Sequence, residues 1–213
     1  MENHNPEFTR KIYDKLIEHY PAAACSLRHK DPWQLLIATI LSAQCTDKQV
    51  NKVTKQLFSK YRNVEELAGA NIEKVKKIIR PTGFYNNKAR SIIGASQYIV
   101  ENYNGKVPDS MEKLLELPGV GRKTANVVLG DGFGIAGVVV DTHVKRISNR
   151  LGLTDRSNPD KIEQDLMDIL PRDTWTTFGH LVIAHGRTLC KARNPLCDQC
   201  FLFQDCPYPE KKP

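Results

Sequence analysis

Six residues of this 213-residue chain have the types and spacing to do chemistry. Lys123 carries a primary amine, which attacks carbon once it is neutral. Asp141 lies eighteen residues further on, at the end of an apolar run. A carboxylate there can stabilise positive charge developing on a sugar, or help take the proton of the lysine. The two roles pull against each other. A nearby carboxylate favours the charged amine, whereas a helix N-terminus and partial burial disfavour it. Each residue alone also has a plainer explanation: Lys123 as part of a solvated basic face, Asp141 as the N-cap of the next helix. Cys190, Cys197, Cys200 and Cys206 follow a C-x6-C-x2-C-x5-C pattern. Four thiolates can ligate zinc or an iron–sulfur cluster. Zinc ribbons usually carry two C-x2-C knuckles, and this chain has one.

The elements that must position these groups are helical. The stretch from Leu114 to His143 reads LLELPGVGRKTANVVLGDGFGIAGVVVDTH. It is an amphipathic helix, a Pro-Gly-Val-Gly turn, and a second helix with Arg122 and Lys123 in its first turn. With no side chain at Gly119 or Gly121, a phosphate can approach the backbone of Gly119, Val120, Gly121 and Arg122 at that helix N-terminus. Elsewhere, Asn5-Pro6, Asp31-Pro32 and Asn158-Pro159 each place an N-cap before a proline. Thr46, Asn63 and Asn71 are further caps, and Asp109 with Glu112 has capping-box spacing. Apolar stripes such as Phe8, Ile12, Leu16 and Tyr20, or Trp33, Leu36, Ile37, Ile40 and Leu41, repeat at helical spacing. The pattern predicts an all-α fold of roughly ten helices with short links. Val138 to Val140 is a lone strand candidate, and Thr82 to Asn87 a turn-rich loop. Trp33 and Trp175 are expected in the core, with Cys25 and Cys45 as ordinary buried thiols.

A formal net charge of +7 points to a polyanionic partner. No secretion signal is expected, because MENHNPEFTRK lacks an apolar core, and no apolar run approaches the roughly 20 residues of a membrane span. Six cysteines in an intracellular chain are not expected to form disulfides, and the four crowded into the last 24 residues suggest a metal instead. The protein is expected to be cytoplasmic and to act as a monomer without a membrane.

LPGVGRKTA matches the helix-hairpin-helix found in many DNA-binding proteins. LPGVGRKTANVVL, followed by VDTH and the cysteine tail, resembles the endonuclease III family, from about Pro21 to Cys206. The resemblance implies a bifunctional DNA glycosylase and abasic-site lyase, bacterial or archaeal and associated with the nucleoid through DNA. Its substrate would be double-stranded DNA bearing oxidised or ring-saturated pyrimidines or abasic sites. Lys123 would attack C1′ of a flipped nucleotide. The base would leave, a Schiff base would form, and β-elimination would cut the strand 3′ to the lesion, with Asp141 assisting. The four cysteines would hold a [4Fe–4S] cluster, and the resemblance admits a monovalent cation at the hairpin. Gln44 would fill the hole left by the flipped base, and Phe84, where relatives often carry leucine, would wedge the opposite strand. His143, Lys191 and Arg193 would contact phosphates.

Two lobes are implied. Residues 23–135 would form a six-helix barrel containing the hairpin motif (about 109–131), and residues 1–22 with 136–213 an iron–sulfur cluster domain, with DNA in the cleft between. Two alternatives remain within reach of the sequence. Adenine-type glycosylases carry a glutamate that aligns with Thr39, and both they and thymine-mismatch relatives lack the lysine, so Lys123 argues against a monofunctional enzyme. A non-catalytic hairpin module would not need both Lys123 and Asp141.

Overall fold

The computed structural model describes residues 5–211, and among them it is helical without strands. Eleven α-helices follow in order: α1 (Pro6–His19), α2 (Pro32–Ser42), α3 (Asp47–Lys60), α4 (Val64–Ala68), α5 (Ile72–Ile79), α6 (Tyr85–Tyr103), α7 (Met111–Leu115), α8 (Arg122–Val127), α9 (Thr142–Arg150), α10 (Pro159–Ile169) and α11 (Trp175–Thr188). No described helix is long and apolar enough to cross a membrane.

The starts are set by local chemistry. Side-chain oxygens of Asn5, Asp31, Thr46, Asn63, Asn71 and Asn158 each accept a backbone N–H one turn in. Such caps satisfy donors that the helix itself leaves orphaned. The capping-box expectation fails: α7 is capped at Ser110, not Asp109, and the Ser110 side chain makes no capping bond. Residues 138–140 are irregular, so the strand candidate is withdrawn. With no second strand among the described residues, this apolar run has no ladder to join. The turn-rich loop is shorter than expected, because Tyr85, Asn86 and Asn87 already belong to α6. Trp175, Cys25 and Cys45 are half-buried rather than core, whereas Trp33 is buried and its indole N–H donates to Ser96 Oγ at 3.3 Å.

The chain divides into two compact units, Cys25–Ile135 and the remainder, formed by the chain up to Ala24 with that from Ala136 onward. In the first, α2 is the central element. Leu35, Leu36, Ile37, Ala38 and Leu41 are fully buried. A helix apolar all round belongs inside a core, and each large side chain removed from water there stabilises by about 1.5–3 kcal/mol. Helices α3, α5, α6 and α8 supply the surrounding apolar side chains, among them Leu57, Ile79, Ile92 and Ala125. The second unit has its own core, in which Ile12 and Leu16 of α1 meet Val144 and Ile147 of α9 and Phe178, Leu181 and Val182 of α11.

Candidate active site and cluster site

The hairpin joins α7 to α8. Val120 N–H donates to Leu117 O at 3.1 Å, and Gly119 takes φ +78°. The two glycines do different work. A Cβ on Gly119 would lie 2.5 Å from Ser91 Cβ, so the turn needs glycine both for its φ and for its packing on α6. A Cβ on Gly121 would meet nothing within 4 Å. Gly121 is the open N-cap of α8, with no side-chain cap on the first turn. Arg122 and Lys123 are exposed on that turn. The partial burial expected of Lys123 is therefore absent. Val120, predicted at the DNA surface, is 8% exposed and packs into the core, which leaves its backbone alone for an outside partner.

The hairpin helix ends in a π-type turn over Val128–Gly132, covering the Gly130-Asp131-Gly132 segment. A Cβ on Gly132 would come 3.4 Å from Leu35 Cδ2, an ordinary contact, so the space there does not require glycine. Close by in the same unit, burial and then Asp131 push the Cys25 thiol up to about 11. Thr39, at the position aligned with an adenine-type glutamate, is buried and donates to Leu35 O of its own helix at 2.7 Å.

Asp141 is the N-cap of α9. Its Oδ1 accepts the backbone N–H groups of His143 and Val144, both at 2.8 Å, and its Oδ2 lies 2.9 Å from His143 Nδ1. The cap explanation is thus true and does not exclude a second role. The cap occupies one oxygen, and His143, here a neighbour of the carboxylate, fixes the other.

Gln44 and Phe84 are both exposed, Phe84 by 64%. Both have left-handed backbones, at φ +53° and +48°. Neither is Gly, Asn or Asp, the residues that tolerate this region at least cost. Gln44 lies just past α2, and Phe84 occupies the N-cap position of α6.

The four C-terminal cysteines are unpaired and line one largely apolar pocket with Ile147, His185 and Leu202. Burial pushes the Cys200 thiol up to about 11 and raises Cys206. Such thiols keep their protons unless a metal takes the proton's place. No group of three His, Cys, Asp or Glu side chains among the described residues is arranged to hold a single metal ion. Four free thiols lining one apolar pocket are the donor set that an iron–sulfur cluster takes, so the residues fit the group. Lys191 and Arg193 are exposed on the loop between the first two cysteines. Two residues missed in the sequence tie this loop down. Arg150 donates to Cys190 Sγ at 3.3 Å, Lys191 O at 2.8 Å and Ala192 O at 3.2 Å. Arg146 donates to Cys190 O at 3.0 Å. The only available signal was two arginines four apart on one helix.

Comparison with known proteins follows the same lines. Residues 37–172 match the HhH-GPD superfamily of base excision DNA repair proteins, and residues 190–206 match the iron–sulfur binding domain of endonuclease III. The chain is 55% identical over 189 residues to endonuclease III of a Synechocystis species, covering 88% of this chain and 86% of the relative. It is 42% identical to that of Bacillus subtilis, over 93% and 91% of the two chains. Among solved structures, an endonuclease III in non-covalent complex with DNA superposes with a TM-score of 0.91 at 43% identity, covering 96% of each chain. A trapped covalent endonuclease III–DNA intermediate superposes equally well. A thermostable thymine-DNA glycosylase, at 23% identity and a TM-score of 0.87, shares the fold. The chain belongs to the HhH-GPD superfamily and, within it, to the endonuclease III family, whose iron–sulfur cluster it carries.

Proposed function

We propose that Lys123 is the nucleophile, and Asp141 the assisting carboxylate, of a DNA glycosylase and abasic-site lyase acting in base excision repair. The carrying observation is Lys123 itself, exposed in the first turn of the helix that leaves the hairpin, in a chain of the endonuclease III family. The amine would form a bond to C1′ and give up a proton as the C1′–base bond breaks and the base leaves with the electron pair. Opening of the sugar gives the Schiff base. Loss of a proton from C2′ then expels the 3′ phosphate by β-elimination. Asp141 would meet positive charge on the sugar with a carboxylate already oriented by two backbone N–H groups. The partner is double-stranded DNA with damaged bases, and oxidised or ring-saturated pyrimidines are the proposed lesion class. A solved relative trapped covalently on DNA supports a covalent route.

In this reading residues 23–135 are the barrel domain with the hairpin, and the remainder is the cluster domain. The hairpin backbone and Arg122, with His143, Lys191 and Arg193, contact phosphates, while Gln44 and Phe84 enter the base stack. Cys190, Cys197, Cys200 and Cys206 hold a [4Fe–4S] cluster, whose contribution is to pin their loop in one conformation. The protein works in the cytoplasm, at the nucleoid.

Borohydride trapping on a duplex with an abasic site is the direct test. Wild-type protein is expected to give a covalent adduct, and Lys123→Gln none, with a rate loss of at least about a thousandfold. Asp141→Asn keeps an N-cap as good as aspartate but loses the charge, so its expected effect is about a hundredfold on rate with the fold intact. Trapping by Lys123→Gln would assign the chemistry to another amine.

A further inference from the structure

Lys88, on α6, is 5% exposed and serves none of the steps above. Its Nζ donates to Leu41 O at 2.8 Å and to Thr82 O at 2.8 Å. A buried ammonium is costly, and burial does lower its pKa from the ordinary lysine value. The two acceptors explain why it stays. Leu41 lies in the last turn of α2, where carbonyls lack helical partners and a cation is favoured. Thr82 closes the short 3₁₀ turn that precedes α6. Three residues after Leu41 stands Gln44, and two after Thr82 stands Phe84. These are the exposed residues with left-handed backbones described above. Conformations of that kind persist only where the surroundings over-determine them. One ammonium therefore ties together the two segments that carry both strained side chains.

We propose that Lys88 is a positioning residue that fixes Gln44 and Phe84 as one rigid pair of probes, so that damaged duplex is told apart from intact duplex. The proposal rests on the reading that Gln44 and Phe84 enter the DNA. It assigns Lys88 to recognition and not to the chemical step, which belongs to Lys123. Hence its loss should fall on the binding of damaged DNA, while chemistry at saturating protein is kept.

The test uses cluster-loaded, full-length protein and a duplex with a tetrahydrofuran abasic analogue opposite 2-aminopurine, whose fluorescence rises on unstacking. Wild-type protein is expected to prefer this duplex over an intact one and to raise the fluorescence. Lys88→Met should lower the preference about tenfold, the size of one lost charge-assisted anchor, and blunt the fluorescence rise. Single-turnover cleavage of an abasic duplex at saturating protein should change less than about threefold. In a Gln44→Ala, Phe84→Ala background, adding Lys88→Met should cost little more, because coupled residues are not additive. A folded Lys88→Met with wild-type preference and fluorescence overturns the proposal. So does an undiminished effect in the double-alanine background. If the double-alanine protein itself discriminates like wild type, the reading of Gln44 and Phe84 as probes falls, and this proposal with it. Should Lys88→Met fail to fold, Lys88→Gln decides. It keeps an N–H donor without the reach for both carbonyls, so about a threefold loss is expected, and equality with wild type overturns the idea.

Discussion

Between Cys25 and Ile135 the chain is held by apolar burial, with α2 contributing five side chains that see no solvent. From Leu189 to Lys211 it is held by other means. That segment has one 3₁₀ turn and no α-helix. Its backbone carbonyls are gathered by cations: Arg150 on Lys191 and Ala192, Arg146 on Cys190, and Lys211 on Phe203 and Cys206 at 2.9 and 2.6 Å. Leu202 is its fully buried side chain. Burial of a Leu/Ile core is non-directional and survives small rearrangements. A loop of carbonyls, cations and thiols has one good geometry, and ligation supplies the free energy that its own apolar surface does not. The contrast makes the hairpin unit a scaffold with its own stability and the cysteine loop a structure conditional on its cluster.

The largest expected effect breaks the second half of that comparison. Removing the cluster, by chelation of oxidised protein or by Cys200→Ala, should release the segment from residue 189 to 211. Iron content and visible absorbance should vanish, and limited proteolysis should cut within this segment first. Ligation of this kind contributes on the order of 10 kcal/mol in small metal domains, so loss of folded structure around α9 and α11 is expected too. Hydrogen exchange should still show protected amides in α2 and α6. Exchange that collapses equally in both units would remove the distinction.

A smaller effect tests the first half. Leu36→Ala in α2 should cost about 2–5 kcal/mol, the range for a large aliphatic side chain deleted from a close-packed core. The midpoint of thermal or urea unfolding should fall accordingly, while iron content at low temperature stays at the wild-type ratio. A variant that sheds iron before its helices melt would show that the cluster loop depends on the hairpin unit's core.

How much could be read beforehand follows the same division. Helix starts were legible because an Asn, Asp or Thr cap and a following proline are local chemistry, and six of them cap as expected. Asp109 and Glu112 had the right spacing too, yet the chain entered α7 one residue later. A spacing rule cannot see what tertiary packing does to the entry. The cysteine pattern was legible because ligation needs particular residue types. Lys88 was not, since a lysine on a helix reads as solvated, and only the fold brings Leu41 and Thr82 to it. Arg150 was hidden for the same reason. The burial of Val120 was not legible either, because the hairpin match speaks for its backbone and not for its side chain, which is part of the core.

The smallest effect lies where α1 meets the cysteine loop. Lys11 and Lys15, one turn apart, both donate to Asp205 at 2.6 Å, next to Cys206 in the chain. Asp205 is largely enclosed, whereas Lys11 is more than half exposed and Lys15 about a third, so screening limits the gain. Asp205→Asn should therefore destabilise by only about 1 kcal/mol. The two hydrogen-bonded ammonium groups hold the Asp205 carboxyl below its ordinary value of 3.8. A carboxyl depressed by folding stabilises fully above its unfolded value and loses that contribution as pH falls through the lower folded one. The difference between wild type and Asp205→Asn should thus be constant from neutrality down to about pH 5 and shrink below about pH 4. It should also narrow with added salt. A difference that persists at pH 2 would mean that Asp205 holds the loop through its shape and hydrogen bonds and not through its charge. The cysteine loop would then resemble the hairpin unit more closely than its row of cations suggests.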